Sequence, residues 1–157
     1  MDNNDIFRRL RYTLGYNDFK MTEVFTLAEE PIQQEKVTKW LKKEDDKSFV
    51  PMPDVMMATF LNGLINQKRG KKDGPQAAPE ENINNNIVFR KLRIAFNLQS
   101  DDILKLYFLI DKKISSHELS AFFRKPGHSK YRECNDQYLR YFLSGLQESL
   151  HPSDKQI

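Results

Sequence analysis

The chain repeats itself. Displaced by 82 positions, residues 3–66 of the 157-residue sequence fall on 85–148 without a gap. Asn3-Asn4-Asp5-Ile6-Phe7-Arg8-Arg9-Leu10-Arg11 lies on Asn85-Asn86-Ile87-Val88-Phe89-Arg90-Lys91-Leu92-Arg93. Phe60-Leu61-Asn62-Gly63-Leu64 lies on Phe142-Leu143-Ser144-Gly145-Leu146. Of 64 aligned pairs, 14 are identical, against roughly four for unrelated sequences of average composition. Such a chain must solve one folding problem twice and then join the two solutions. The units are 3–66 and 84–150, followed by a tail at 151–157. Between them, residues 67–83 contain Gly70, Gly74, Pro75 and Pro79. These break helix and strand alike and predict a flexible, solvated linker. A unit of this size makes a marginal core alone, so the two are expected to pack into one two-lobed domain.

Two copies make each periodicity a repeated test. The first helix is predicted over about 3–14, with Asn3 and Asn4 as capping residues and Phe7, Leu10 and Leu14 on one face. Phe89, Leu92 and Phe96 repeat that face. The second follows Asp18 and carries Met21, Val24, Phe25 and Ala28 at helical spacing; Ile103, Leu106, Tyr107 and Ile110 are its twin. The third is predicted over about 33–43, with Val37, Trp40 and Leu41 inward. Its twin opens with the capping box Ser115-x-x-Glu118. The fourth covers about 53–68, with Met57, Phe60, Leu61 and Leu64 matched by Leu139, Phe142, Leu143 and Leu146. No segment alternates with period two. The fold class is all-α, a tandem duplication of a four-helix unit giving about eight helices.

Composition excludes several classes. The longest apolar run, Leu106 to Ile110, falls far short of the ~20 residues that span a bilayer, so no membrane insertion is expected. The chain begins Met1-Asp2-Asn3-Asn4-Asp5, without the basic start and apolar stretch of a secretory signal. Its single cysteine, Cys134, suits a reducing compartment, so the expected location is cytoplasmic. His117, His128 and His151 make no metal-ligand spacing, and no phosphate-binding glycine loop or nucleophile elbow occurs. A Cys134–His128 nucleophile is argued against by the repeat, which puts Met52 and Asp46 at those positions. Neither cofactor, metal nor catalytic residue is predicted, and the chain is not expected to be an enzyme.

The remaining candidates are binding and structural residues. Net charge is +3 overall, but −2 over 1–66 and +4 over 84–157. This asymmetry permits a polyanionic partner for the second half. Arg8, Arg11, Arg90 and Arg93 recur on the first helix of each unit. Asp54 and Asp136 are the only acidic residues shared between units at the same acid type, and an Arg–Asp ion pair per unit is the favoured reading. A phosphate-contacting face formed twice is the alternative. Lys68, Arg69, Lys71 and Lys72 form the densest basic cluster, read as a solvated hinge that could also drape along a polyanion. Gly63 and Gly145 sit mid-helix, where Gly costs about 1 kcal/mol relative to Ala. A close helix crossing explains them better than a ligand. The second and third helices are spaced like a helix-turn-helix, without its common Gly. In the second unit the third helix would present Ser115, Ser116, His117, Ser120, Arg124 and Lys125 outward. In the first, Glu29 and Glu30 would repel phosphate.

At Asn84 to Phe96 and Tyr131 to Leu146, and again at Trp40 to Asp45 and Phe60 to Ile65, the sequence resembles the YehS-like family of uncharacterised bacterial proteins. The resemblance implies a duplicated domain of unknown function and carries over no activity, cofactor or site residue. The leading expectation is a non-enzymatic helical binding module, a monomer or weak homodimer. It would take a protein or helix between the lobes, near Gly63, Gly145 and the basic first helices. The alternative is a nucleic-acid-binding, helix-turn-helix-like protein.

Overall fold

A computed structural model of the protein describes residues 1–153. Eight helices follow in order: α1 (Asn3–Leu14), α2 (Asp18–Leu27), α3 (Gln34–Trp40), α4 (Asp54–Arg69), α5 (Asn85–Ala95), α6 (Ser100–Leu109), α7 (Ser116–Phe122) and α8 (Asp136–Leu150). No strand occurs among the described residues. The protein is all-α and duplicated, and helices α5 to α8 repeat α1 to α4. The last residues of the expected 151–157 tail, 154–157, lie outside the described residues.

Backbone geometry recurs with the repeat. Gly15 (φ 70°) ends the α1 turn in the left-handed conformation, and its counterpart Asn97 (φ 53°) does the same after α5. Glu29 (φ 59°) and Asp111 (φ 57°) form a second matched pair between the second and third helices. Asn and Asp tolerate that region best after Gly, so Glu29 is the less comfortable member of its pair.

The apolar faces form a single core running through both units. In the first, Phe7 meets Phe60 edge-on at 4.9 Å, with Phe25 and Trp40 closing the cluster. In the second, Phe89 and Phe142 stack at 4.2 Å. Tyr107 stands where Phe25 stands in the first unit, and its hydroxyl donates to the Tyr138 carbonyl at 2.7 Å. A buried Tyr hydroxyl needs such a partner.

Glycine makes the main crossing possible. Gly63 on α4 lies against the Val24 backbone of α2, and Gly145 on α8 lies against the Leu106 backbone of α6. A Cβ at Gly63 would sit 3.0 Å from the Val24 carbonyl carbon; at Gly145 it would sit 2.8 Å from that of Leu106. Both are well inside the ~3.5 Å of ordinary carbon contact. Each crossing is internal to one unit. The surfaces beside these glycines are therefore buried, not the exposed interlobe faces expected from the sequence.

Two helix boundaries differ from the sequence expectation. Asn3 and Asn4 do not cap α1; Asp2 does, in a capping box with Asp5, and Asn84 caps α5. The third helix stops at Trp40 instead of Lys43 because Asn4 competes for its end. Asn4 Nδ2 donates to the Trp40 carbonyl (3.0 Å) and the Val50 carbonyl (2.9 Å), and Asn4 Oδ1 accepts from Met52 N (2.9 Å). Asn86 makes the same three bonds with Phe122, Arg132 and Cys134. Carbonyls that would have continued the helix are taken by a side chain, and the following loop is tied to the helix N-terminus.

The two units join along seams that the repeat exchanges. Helix α4 meets α5 broadly, and α1 meets α8 in the equivalent, narrower contact. Swapping the units maps one seam onto the other, the relation of a pseudo-two-fold interface.

Candidate functional site

The aspartates shared by both units are used for scaffold. Asp54 accepts from Asn3 Nδ2 at 2.7 Å and from the Ile83 backbone N–H at 3.0 Å. Asp136 accepts from Asn85 Nδ2 at 2.8 Å and from the Met1 ammonium at 2.7 Å. Since Ile83 is the counterpart of Met1 under the 82-residue shift, the two aspartates form reciprocal clasps. Each holds the chain segment that enters the other unit. The Met1 ammonium and then the Asn85 hydrogen bond hold the Asp136 carboxyl below its usual range. The expected Arg–Asp pair within each unit is not formed. Asparagine amides and main-chain donors have already filled the carboxylates.

The repeated arginines are engaged elsewhere. Arg8 donates to Asp5 (2.5 Å) and to the Lys42 carbonyl (2.7 Å). Arg90 lies 3.7 Å from Glu80. Arg93 donates from Nε to the Leu98 carbonyl (3.1 Å) and lies over the Phe123 ring. Arg11 is half-buried near the end of α1. The structure does not gather these four into one face for a polyanion.

The seams carry a second matched set. Lys91 Nζ donates to Asn62 Oδ1 at 2.6 Å, and at the equivalent place the Arg9 guanidinium donates to the Ser144 hydroxyl. Lys91, with only 9% of its side chain exposed, also reaches Glu80 at 3.0 Å. Burial raises the Glu80 carboxyl, but the Lys91 hydrogen bond and the Lys91 and Arg90 charges more than offset this and leave it below its ordinary value.

The connector begins later than residue 67 because α4 continues through Arg69. It then lies back across both units. Lys71 pairs with Glu29 at 2.9 Å, Gln76 Oε1 accepts from Asn66 at 2.9 Å, Glu80 meets Lys91, and Ile83 meets Asp54. Of the basic cluster, Lys68 lies over the Phe96 ring, while Arg69 and Lys72 line a cleft of about 460 Å³ between connector, α4 and α5. Ile65, Ile94 and Ala77 supply its apolar wall, and Glu30 stands on its rim.

A second cleft, of about 380 Å³, lies between α7 and the loop that follows it. Arg124, Lys130, Arg132 and His117 line it, and the neighbouring Lys125 is exposed. The sequence singles out Arg124 and Lys125 but not Lys130 or Arg132, which the loop brings back to the helix. Identical asparagines at positions 4 and 86 are the available signal, since a polar identity at a helix start calls for a partner.

Nucleophilic chemistry finds no support at Cys134. The thiol is buried, and desolvation followed by the Asp136 charge pushes it up to about 12. Thiolate is scarce there at neutral pH. His128 Nδ1 accepts from the Lys130 backbone N–H. No cluster of three His, Cys, Asp or Glu side chains suited to a metal occurs among the described residues. No described helix is long and apolar enough to cross a membrane.

This geometry defines a tandem-duplicated helical protein whose shared residues build the frame and whose clefts differ between units. A family model described as "Protein of unknown function (DUF1456)" matches it twice, over residues 3–70 and 85–150. The chain belongs to that family. It is 45% identical over 152 residues to "Uncharacterized protein YehS" of Escherichia coli (strain K12), covering 96% of this chain and 97% of that relative. No solved structure matches it.

Proposed function

We propose that the protein is a non-enzymatic binding module working in the cytoplasm as a monomer or weak homodimer. Its binding surface is the cleft roofed by the connector. One observation carries this reading. Asn4 and Asn86, Asp54 and Asp136, and Gly63 and Gly145, each identical between units, are occupied in holding the frame. Function then belongs to what one seam has and the other lacks, and the connector cleft is such a feature. Its apolar wall of Ile65 and Ile94 beside Arg69 and Lys72 suits a protein segment that presents apolar and acidic side chains together. Ile94 retains 45% exposure.

A photo-crosslinking residue at Ile94 tests this in cells, with one at the exposed Phe108 as the comparison. A discrete adduct specific to position 94, lost when Arg69→Glu and Lys72→Glu are added, is the expected result. Identical adduct patterns from both positions, or a pattern indifferent to charge reversal, would refute the cleft.

A second reading, nucleic-acid binding, is favoured by the uneven charge of the units, −2 over residues 1–66 against +4 over 84–157. A full helix-turn-helix is less suited, since α3 and α7 have only seven residues each.

A further inference from the structure

We infer that the groove between α7 and its following loop is a docking site for the phosphate backbone of a nucleic acid, present in the second unit alone. The inference rests on the nucleic-acid reading and assigns it a place. Segment 111–133 carries six basic residues (Lys112, Lys113, Arg124, Lys125, Lys130, Arg132) against three acidic ones (Asp111, Glu118, Glu133), net +3. The equivalent segment 29–51 carries five against six, net −1. Most of the charge difference between the units therefore sits on this one helix and its flanks.

The groove is built, not merely charged. The Arg132 backbone N–H donates to the Ala121 carbonyl of α7 at 3.2 Å, and its carbonyl accepts from Asn86 at 2.8 Å. The loop is thus tied to α7 on one side and to α5 on the other, which fixes where the basic side chains start. Arg124, Lys125 and Lys130 have no side-chain hydrogen bond or ion pair among the described residues. Arg132 donates only to the carbonyl of its neighbour Tyr131. The one acid in the groove, Glu118, is turned to other donors. It accepts from the Tyr138 hydroxyl at 2.7 Å and from the Ser115 N–H at 3.3 Å. The hydroxyls of Ser120 and Ser129 add donors that suit a phosphate oxygen.

A chain of phosphates fits better than one. Lys112, whose ammonium lies over the Tyr141 ring, and Lys113 precede α7 outside the groove lining, and Arg124 and Lys125 follow it. Seven residues of helix separate the two clusters by roughly 10 Å, too far for a single phosphate to engage both. Ala121 is the apolar side chain of the groove, which gives an acyl chain nothing to enter. In the first unit Glu44, Asp45 and Asp46 occupy the loop that carries Pro126, Gly127 and His128 here, so the same groove there would repel phosphate.

The test is fluorescence anisotropy with a 20-base-pair duplex DNA, a single-stranded DNA and an RNA hairpin, each over a salt series, with polyglutamate as competitor. The Arg124→Ala/Lys130→Ala variant is compared with Lys43→Glu/Lys47→Glu, which removes positive charge from the first unit's loop. Both pairs are exposed, and circular dichroism checks that each variant is folded. The expected result is binding that weakens with salt and loses about tenfold or more in the groove variant, whose log–log salt slope falls by about two. The first-unit variant should bind like the wild type. Binding retained in full by the groove variant, or lost equally in both, would overturn the site while leaving the nucleic-acid reading standing. Wild-type protein that binds no probe at low salt would overturn both. Polyglutamate competing as well as DNA and RNA would overturn the site's preference for phosphate.

Discussion

Replacing Gly63 by Ala should destabilise the protein even though Ala is the better helix former. Propensity alone favours Ala by about 1 kcal/mol in a helix interior. Against this stands the α2–α4 crossing. The new Cβ would lie 3.0 Å from the Val24 carbonyl carbon and 3.1 Å from Val24 Cγ1. Ordinary contact is about 3.5 Å, so the carbon contact alone asks the helices to separate by roughly 0.5 Å, and the Val24 carbonyl oxygen, which lies closer still to the new Cβ, asks for roughly 1 Å or more. The obstruction is backbone, which cannot rotate away, and both helices belong to the core. Overpacking of this kind costs about 1–3 kcal/mol, and the upper end applies here. The net loss is about 2 kcal/mol, or a fall of roughly 4–8 °C in Tm for a chain of this size. Gly145→Ala meets the Leu106 carbonyl carbon at 2.8 Å and should cost a similar amount. Gly127, where an added Cβ would meet open space, is the control, and Gly127→Ala should change stability by less than about 0.5 kcal/mol. Urea denaturation followed by fluorescence of the buried Trp40 and by circular dichroism measures all three. A Gly63→Ala protein as stable as the wild type, or more so, would mean that the crossing does not require glycine.

Other outcomes follow from the same geometry. Asn4→Ala leaves the buried Trp40 carbonyl and Met52 N–H without their partner, which should cost about 2–4 kcal/mol in urea titration. Asn4→Asp should fare no better, because it keeps the acceptor but sets a carboxylate against two carbonyls; near-wild-type stability would contradict this. Cys134, raised from 9.0 to about 12, should carry about 1000-fold less thiolate at pH 8 than an unfolded thiol. Iodoacetamide should label it rapidly only after denaturation, and equal rates in both states would refute the burial argument. Glu80 has a lowered folded value, so its contribution is present above the unfolded value of 4.5 and is lost as pH falls through the folded one. The drop in urea midpoint between pH 6 and pH 3.5 should therefore be smaller in Glu80→Gln than in the wild type, and equal drops would remove Glu80 from the acid response.

The sequence alone determined the duplication, the helical class and most inward positions. The positions of Phe7, Leu10, Met21, Val24, Phe60 and Leu64 are apolar in both units, at a spacing only a buried helix face explains. The mid-helix glycines were legible as close crossings because their cost demands a reason. The destinations of polar side chains were not legible, because hydrogen bonds across tens of residues leave no local period. Asn4 reaches residues 36, 46 and 48 positions away, and that reach alone shortens α3. The same holds for charge. Sequence made Arg8, Arg90 and Asp54 look like partners or a binding face, whereas the fold gives Arg8 to Asp5, Arg90 to Glu80 and Asp54 to the connector. Only the tertiary structure brought Lys130 and Arg132 beside Arg124, because a loop's return path depends on the backbone bonds that pin it, not on the residues it carries.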